Sequence, residues 1–203
     1  MVVGYIQYGV DHNKQKNFEK IESSLQKMNC DLVVLPELSL CGYLFHDQKE
    51  LLVAAEAVPN DSSTQKMQRL SEKYDCTLVF GLAEKENGKI YNTAVVVSKG
   101  MYIGKYRKIH LSDFENNFFE CGTKNEVFSL NGLTIGVQIC FDLWFPEVSR
   151  EQVFRGADLL CLQISAEKQP ISLHKQEQSK ILPLLCCAIV SGVKNCRTWM
   201  HTF

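Results

Sequence analysis

The chain has 203 residues, 45% of them hydrophobic and 22% charged, with a formal net charge of −1. That length supports one domain with a substantial core, and that balance excludes a disordered chain. Near-neutral charge gives no reason to expect nucleic acid or an anionic membrane surface as partner, and no apolar run approaches the roughly 20 residues of a membrane span.

In chain order, residues 2–8 read as a short apolar strand. They lack the basic n-region and small-residue cleavage site of a signal peptide, so a cytoplasmic protein is expected. Phe18, Ile21, Leu25 and Met28 recur at helical spacing and predict a helix over 14–29. The apolar run Asp31-Leu32-Val33-Val34-Leu35, ended by Pro36, predicts a buried strand. Asp61, Ser62 and Ser63 cap a predicted helix reaching 74, with Met67, Leu70 and Tyr74 on one face. From 76 the pattern is β. Strands are predicted over 76–83 and 90–98 around the turn Glu86-Asn87-Gly88-Lys89, then over 101–106 after Lys99-Gly100. Residues 107–125 read as irregular. Asn131-Gly132 marks a second hairpin, between 127–130 and 133–139. Pro146 opens a helix that Gly156 ends, and 158–164 is again a strand. Early alternation of helix and strand followed by hairpins indicates an α/β or α+β layered domain with a mixed sheet.

Nine cysteines stand at 30, 41, 76, 121, 140, 161, 186, 187 and 196. The odd count and absence of a secretory signal read as reduced thiols, most of them buried as small hydrophobes.

Three segments place a reactive group just past an apolar strand, where α/β proteins aim side chains into a crevice. Glu37 follows the strand ended by Pro36, among apolar neighbours whose desolvation raises a carboxyl pKa toward the range of a general base. Lys108 follows the 101–106 strand and can present an ammonium to a developing oxyanion. Cys140 ends the 133–139 strand before a turn and a Pro-initiated helix, a setting that exposes a nucleophile beside free backbone N–H groups. Each has a plainer alternative: a surface glutamate, a solvated basic patch, a buried structural cysteine. Two further constellations are weaker: a His110–Cys140 dyad, whose histidine sits beside Lys108, and a zinc site of Cys186, Cys187, Cys196 and His201, whose spacing does not fit the usual ligand pattern.

In combination, these flanks resemble the three signature segments of the nitrilase superfamily of carbon–nitrogen hydrolases. Tyr91-Asn92-Thr93-Ala94 resembles that family's "YN-small-A" strand. Glu115 stands where many members carry a second glutamate, and Phe119 and Gly122 resemble the "F..G" that follows. Phe145-Pro146-Glu147 with Arg150 resembles "FPE..R", and Gly156-Ala157-Asp158 resembles "GAD". The resemblance covers roughly residues 1–165 and carries a set of expectations. It implies an α/β fold, a four-layer αββα sandwich, that hydrolyses non-peptide C–N bonds in small amides or N-carbamoyl compounds. Cys140 is the implied nucleophile and Glu37 the base. Lys108 and a backbone N–H, that of Phe141, hold the oxyanion, and Glu115 positions Lys108 or the substrate. No metal or organic cofactor is implied, and a homodimer is.

Beyond residue 165 the resemblance stops. No "A-x-E-N" or "G-x-S" element follows, so residues 1–180 are read as the hydrolase domain and 181–203 as a divergent tail. The second half of the sandwich is then expected to be incomplete, with a missing strand leaving an open edge. The rival expectation is a truncated, catalytically inactive paralogue acting as a binding or interaction protein.

Overall fold

The computed structural model describes residues 1–130 and 132–165, and beyond them the backbone of two strands, Cys187–Ile189 and Arg197–Thr202. The N-terminal half builds one sheet from β1 (Val2–Gln7), β2 (Leu32–Val34), β3 (Thr77–Glu86), β4 (Lys89–Ser98) and β5 (Met101–Arg107). Helix α1 (Lys14–Leu25) crosses between β1 and β2, and α2 (Gln48–Ala54) and α3 (Ser62–Lys73) lie between β2 and β3. Such crossovers bring strands in parallel, whereas tight turns reverse them. Accordingly β1, β2 and β3 pair in parallel, and β3, β4 and β5 pair antiparallel. The β3–β4 turn needs two residues at positive φ, supplied by Asn87 at 52° and Gly88 at 76°.

The second sheet holds β6 (Val127–Leu130), β7 (Leu133–Ile139) and β8 (Leu159–Gln163), with α4 (Pro146–Phe154) crossing between β7 and β8. The two distal strands extend both sheets. β9 (Cys187–Ile189) pairs antiparallel with β8, and β10 (Arg197–Thr202) pairs in parallel with β1. One edge each of β1 and β8 is thereby paired.

Strand alternation sorts side chains into two cores. Val3, Tyr5, Val34, Val79 and Val96 face inward onto Ile135, Val137, Ile139, Leu159 and Cys161 of the second sheet. Ile6, Val33, Phe80 and Val95 face outward and are covered by Phe18, Ile21 and Leu25 of α1 and Met67 and Leu70 of α3. Helix α4 covers the other side of the second sheet. Its Gln152 donates to Val137 O at 2.8 Å, packed where Gly136 carries no side chain. The result is helices, sheet, sheet, helix: the expected four-layer αββα sandwich.

One local expectation needs correction, and one helix has no counterpart in the sequence reading. Helix α1 stops at Leu25, short of 29, because the N–H groups of Lys27 and Met28 turn to carbonyls three residues back and tighten the last turn. Helix α2 was not foreseen. Only Leu51 of its seven residues is buried, so it has no apolar periodicity to read.

Candidate active site

Glu37 sits on the loop leaving β2, its backbone N–H reaching Ile164 O across to the second sheet at 3.3 Å. The loop presses on β3 so closely that a Cβ on Gly81 would lie 2.4 Å from the Leu38 nitrogen. Leu38 itself takes a positive φ of 48° to turn the chain there. Lys108 follows β5 and is tied at both backbone ends: its N–H donates to Asn92 O at 2.9 Å, and its carbonyl accepts from Gly122 N at 2.8 Å. Gly122 is required at that position, since a Cβ would come within 2.2 Å of Arg107 O. Cys140 opens a 3-10 turn (Cys140–Trp144) at the end of β7, with φ at 45°. Left-handed backbone at a non-glycine residue costs about 1–2 kcal/mol and persists only where surroundings enforce it.

These three segments converge. The Lys108 ammonium, fully buried, donates to Glu37 Oε1 at 2.7 Å and to Glu115 Oε1 and Oε2 at 2.7 and 2.8 Å. Asn92 Nδ2 bridges the same two carboxylates, at 2.8 Å to Glu37 and 3.0 Å to Glu115. Ser112 closes the cage with its N–H and hydroxyl on Glu115 Oε2 at 3.0 and 2.9 Å. The Cys140 thiol lies in the electrostatic field of Glu37, Lys108 and Glu115. Phe141, half-buried, follows it in the turn with its ring edge-on to Phe145.

Electrostatics follow from burial. Burial raises the Glu37 carboxyl above the usual range, and Lys108 offsets this only in part. Burial and the Glu37 charge push the Cys140 thiol up, so it rests protonated. Burial would lower Lys108, but the Glu37 and Glu115 carboxylates outweigh it and hold the ammonium charged. A protonated thiol, a carboxyl of raised basicity and a fixed cation thus share one buried site. Such a set can move a proton from sulfur to oxygen and stabilise negative charge on a third group.

His110 is not part of a dyad with Cys140. Its ring stacks on Phe145 at 3.7 Å and its Nδ1 pairs with Asp142 Oδ1 at 3.1 Å. The side chains of Cys186, Cys187, Cys196 and His201 lie outside the described residues. Of the other cysteines, 30, 41, 76 and 161 are buried and Cys121 is exposed. Three site residues escaped the sequence reading as site residues: Asn92, noticed only as part of a motif, Ser112 and Asp142. An asparagine on a strand opposite a candidate lysine was the one available signal.

Among the described residues no helix is long and apolar enough to cross a membrane. Residues 2–180 match the model of the carbon-nitrogen hydrolase family, extending the likeness past the point where the motifs end. A Pyrococcus abyssi protein named nitrilase is 40% identical over 149 residues, 71% of this chain and 57% of that protein. A Bacillus subtilis 2-oxoglutaramate amidase is 31% identical over 173 residues, 81% of this chain and 64% of the relative. The chain thus spans roughly three fifths of the length of the curated relatives it matches. Among solved structures, a carbon-nitrogen hydrolase from Helicobacter pylori superposes with a TM-score of 0.76 at 25% identity, covering 89% of this chain and 65% of that one. With the four layers and the buried Glu–Lys–Glu cluster beside a strand-end cysteine, these matches place the chain in the carbon-nitrogen hydrolase family, within the nitrilase superfamily.

Proposed function

We propose that the chain hydrolyses small amides or N-carbamoyl compounds through a Cys140 thioester. The observation that carries this is the Lys108 ammonium, buried between Glu37 and Glu115 beside the Cys140 thiol. Glu37 takes the thiol proton as sulfur attacks the amide carbon, whose oxygen becomes an oxyanion held by Lys108 and the Phe141 N–H. The C–N bond then breaks and the proton on Glu37 passes to the leaving ammonia or amine. Water, deprotonated by Glu37, attacks the thioester, the acid leaves, and the thiol regains its proton. Glu115 orients Lys108, and with Asn92 it keeps the ammonium from collapsing onto Glu37 alone. Relatives named 2-oxoglutaramate amidase, citrullinase and N-carbamoylputrescine amidase support amides and N-carbamoyl compounds, and relatives named nitrilase or probable nitrilase keep nitriles in the test. The proposal includes a cytoplasmic homodimer, checked by sedimentation velocity and cell fractionation.

The test is ammonia release from a panel of small amides and N-carbamoyl amines, with nitriles alongside, for the wild type and Cys140→Ala. Turnover that vanishes in the folded variant supports the mechanism; turnover retained there sinks it. A folded wild type that turns over nothing in the panel favours a binding module that keeps the trio without using it.

A further inference from the structure

One carboxylate outside the trio is placed to govern it. Asp142 lies two residues after Cys140 and is fully buried. Its Oδ2 accepts from the Ile139 N–H at 3.0 Å and from the Tyr106 hydroxyl at 2.8 Å. Its Oδ1 accepts from the His110 N–H at 2.9 Å and pairs with the ring Nδ1 of His110 at 3.1 Å. These partners have a pattern. Ile139 is the residue before Cys140, whereas Tyr106 and His110 flank Lys108 by two residues on either side. The Asp142 charge also raises the Tyr106 hydroxyl, after burial, which holds that group as a donor. His110 is further clamped by Phe145, the residue that caps the turn opened by Cys140.

We infer that Asp142 is a positioning residue: it fastens the turn bearing Cys140 to both flanks of Lys108 and so fixes where the thiol sits relative to Lys108 and Glu37. This rests on the reading of Cys140 as nucleophile. Nothing else within the 3-10 turn offers a side-chain acceptor to the peptide ahead of Cys140, and the left-handed Cys140 backbone needs such a restraint. An asparagine has the same shape but sets an N–H₂ donor against either the Ile139 or the His110 N–H. One of those buried donors then loses its acceptor and the clasp opens on one side.

The experiment is the rate of Cys140 alkylation by iodoacetamide in the native protein across pH, read by mass spectrometry, for the wild type, Asp142→Asn and Tyr106→Phe, with folding followed by circular dichroism. A loose turn separates thiol from base. The expected result for Asp142→Asn is a fall in the neutral-pH rate of about 10-fold or more, since misplacement by an ångström costs up to about 100-fold. Because Glu37 takes the proton as sulfur attacks, the wild-type rate follows ionisation of Glu37; without that base the variant reacts only through pre-formed thiolate, and its pH profile follows the thiol instead. A purely structural residue would lower the melting temperature and leave native-state rate and profile where they were; that outcome, in folded Asp142→Asn, overturns the inference. Should Asp142→Asn fail to fold, Tyr106→Phe decides, because it removes one bond and strands no donor. A slower Cys140 with a shifted profile supports the clasp, and a wild-type profile overturns it. A wild type whose Cys140 reacts no faster than exposed Cys121 removes the nucleophile reading itself, and the clasp with it; a fast wild type with insensitive variants removes only the clasp.

Discussion

Lys108→Met exchanges a buried ammonium for an apolar chain of similar length. Three hydrogen bonds vanish, and Glu37 and Glu115, both essentially without solvent exposure, lose their shared cation. Removing one partner of a buried ion pair costs about 3–5 kcal/mol, because the remaining charge is left uncompensated. The Glu37 carboxyl already stands above its ordinary pKa through burial, and Lys108 is the largest influence holding it down. In the variant its folded pKa rises further. A carboxyl whose folded pKa exceeds its unfolded value gives stability that is present below the unfolded pKa, about 4.3, and lost as pH rises through the folded pKa. The deficit of Lys108→Met relative to wild type therefore grows as pH rises from the folded Glu37 pKa of wild type toward the higher one of the variant, and is compared at about pH 5 and about pH 8. One additional proton held by the folded variant gives a slope of about 1.4 kcal/mol per pH unit, hence a ceiling of about 4 kcal/mol over that window. Urea denaturation of both proteins at the two pH values measures this directly. A deficit equal at both, or larger near pH 5, would refute the argument that Lys108 neutralises a buried carboxylate.

Two further expectations test the local geometry. Because Cys140 holds φ at 45°, Cys140→Gly is expected to be at least as stable as Cys140→Ala despite the roughly 1 kcal/mol that glycine ordinarily forfeits, as paired thermal melts will show. Gly81→Ala drives a Cβ into the Leu38 nitrogen and the Glu37 carbonyl carbon, so the Glu37 loop must move; a loss of about 1–3 kcal/mol and slower Cys140 alkylation are expected, and a neutral melt with unchanged alkylation contradicts the packing.

Much of this was legible in the residues. The hairpin turns were, because Asn87-Gly88 and Lys99-Gly100 carry the positive φ that such turns demand. So were the long buried strands and the three strand ends that bear Glu37, Lys108 and Cys140. What stayed hidden is what depends on distance in the chain. Asp142 reads locally as a polar residue in a turn; its use lies in partners 32 and 36 positions away. His110 beside Lys108 invited a dyad with Cys140, and only the folded chain shows its ring captured by Asp142 and Phe145. The short helix α2, anchored by Leu51 alone, left too faint an apolar trace to read.

The join between the two sheets bears on the order of folding. Gln163, on β8, sends its amide across to Leu35 O and Val79 O, both at 3.2 Å and separated from it by 128 and 84 residues. Leu35 leads straight into the Glu37 loop, which is itself tied to Ile164. Contacts of such sequence separation close late, because the entropy of a long loop must be offset before they return anything. During synthesis the β1–β5 sheet can pair while β8 is still to come, but the Glu37 loop lacks its cross-sheet anchors until then. Cys140 is thus made before the Glu37 loop can be anchored, and if it is the nucleophile proposed above, a chain stalled part-way carries a thiol of ordinary reactivity. On that reading, the appearance of a reactive Cys140 reports that the β1–β5 sheet has closed on β8.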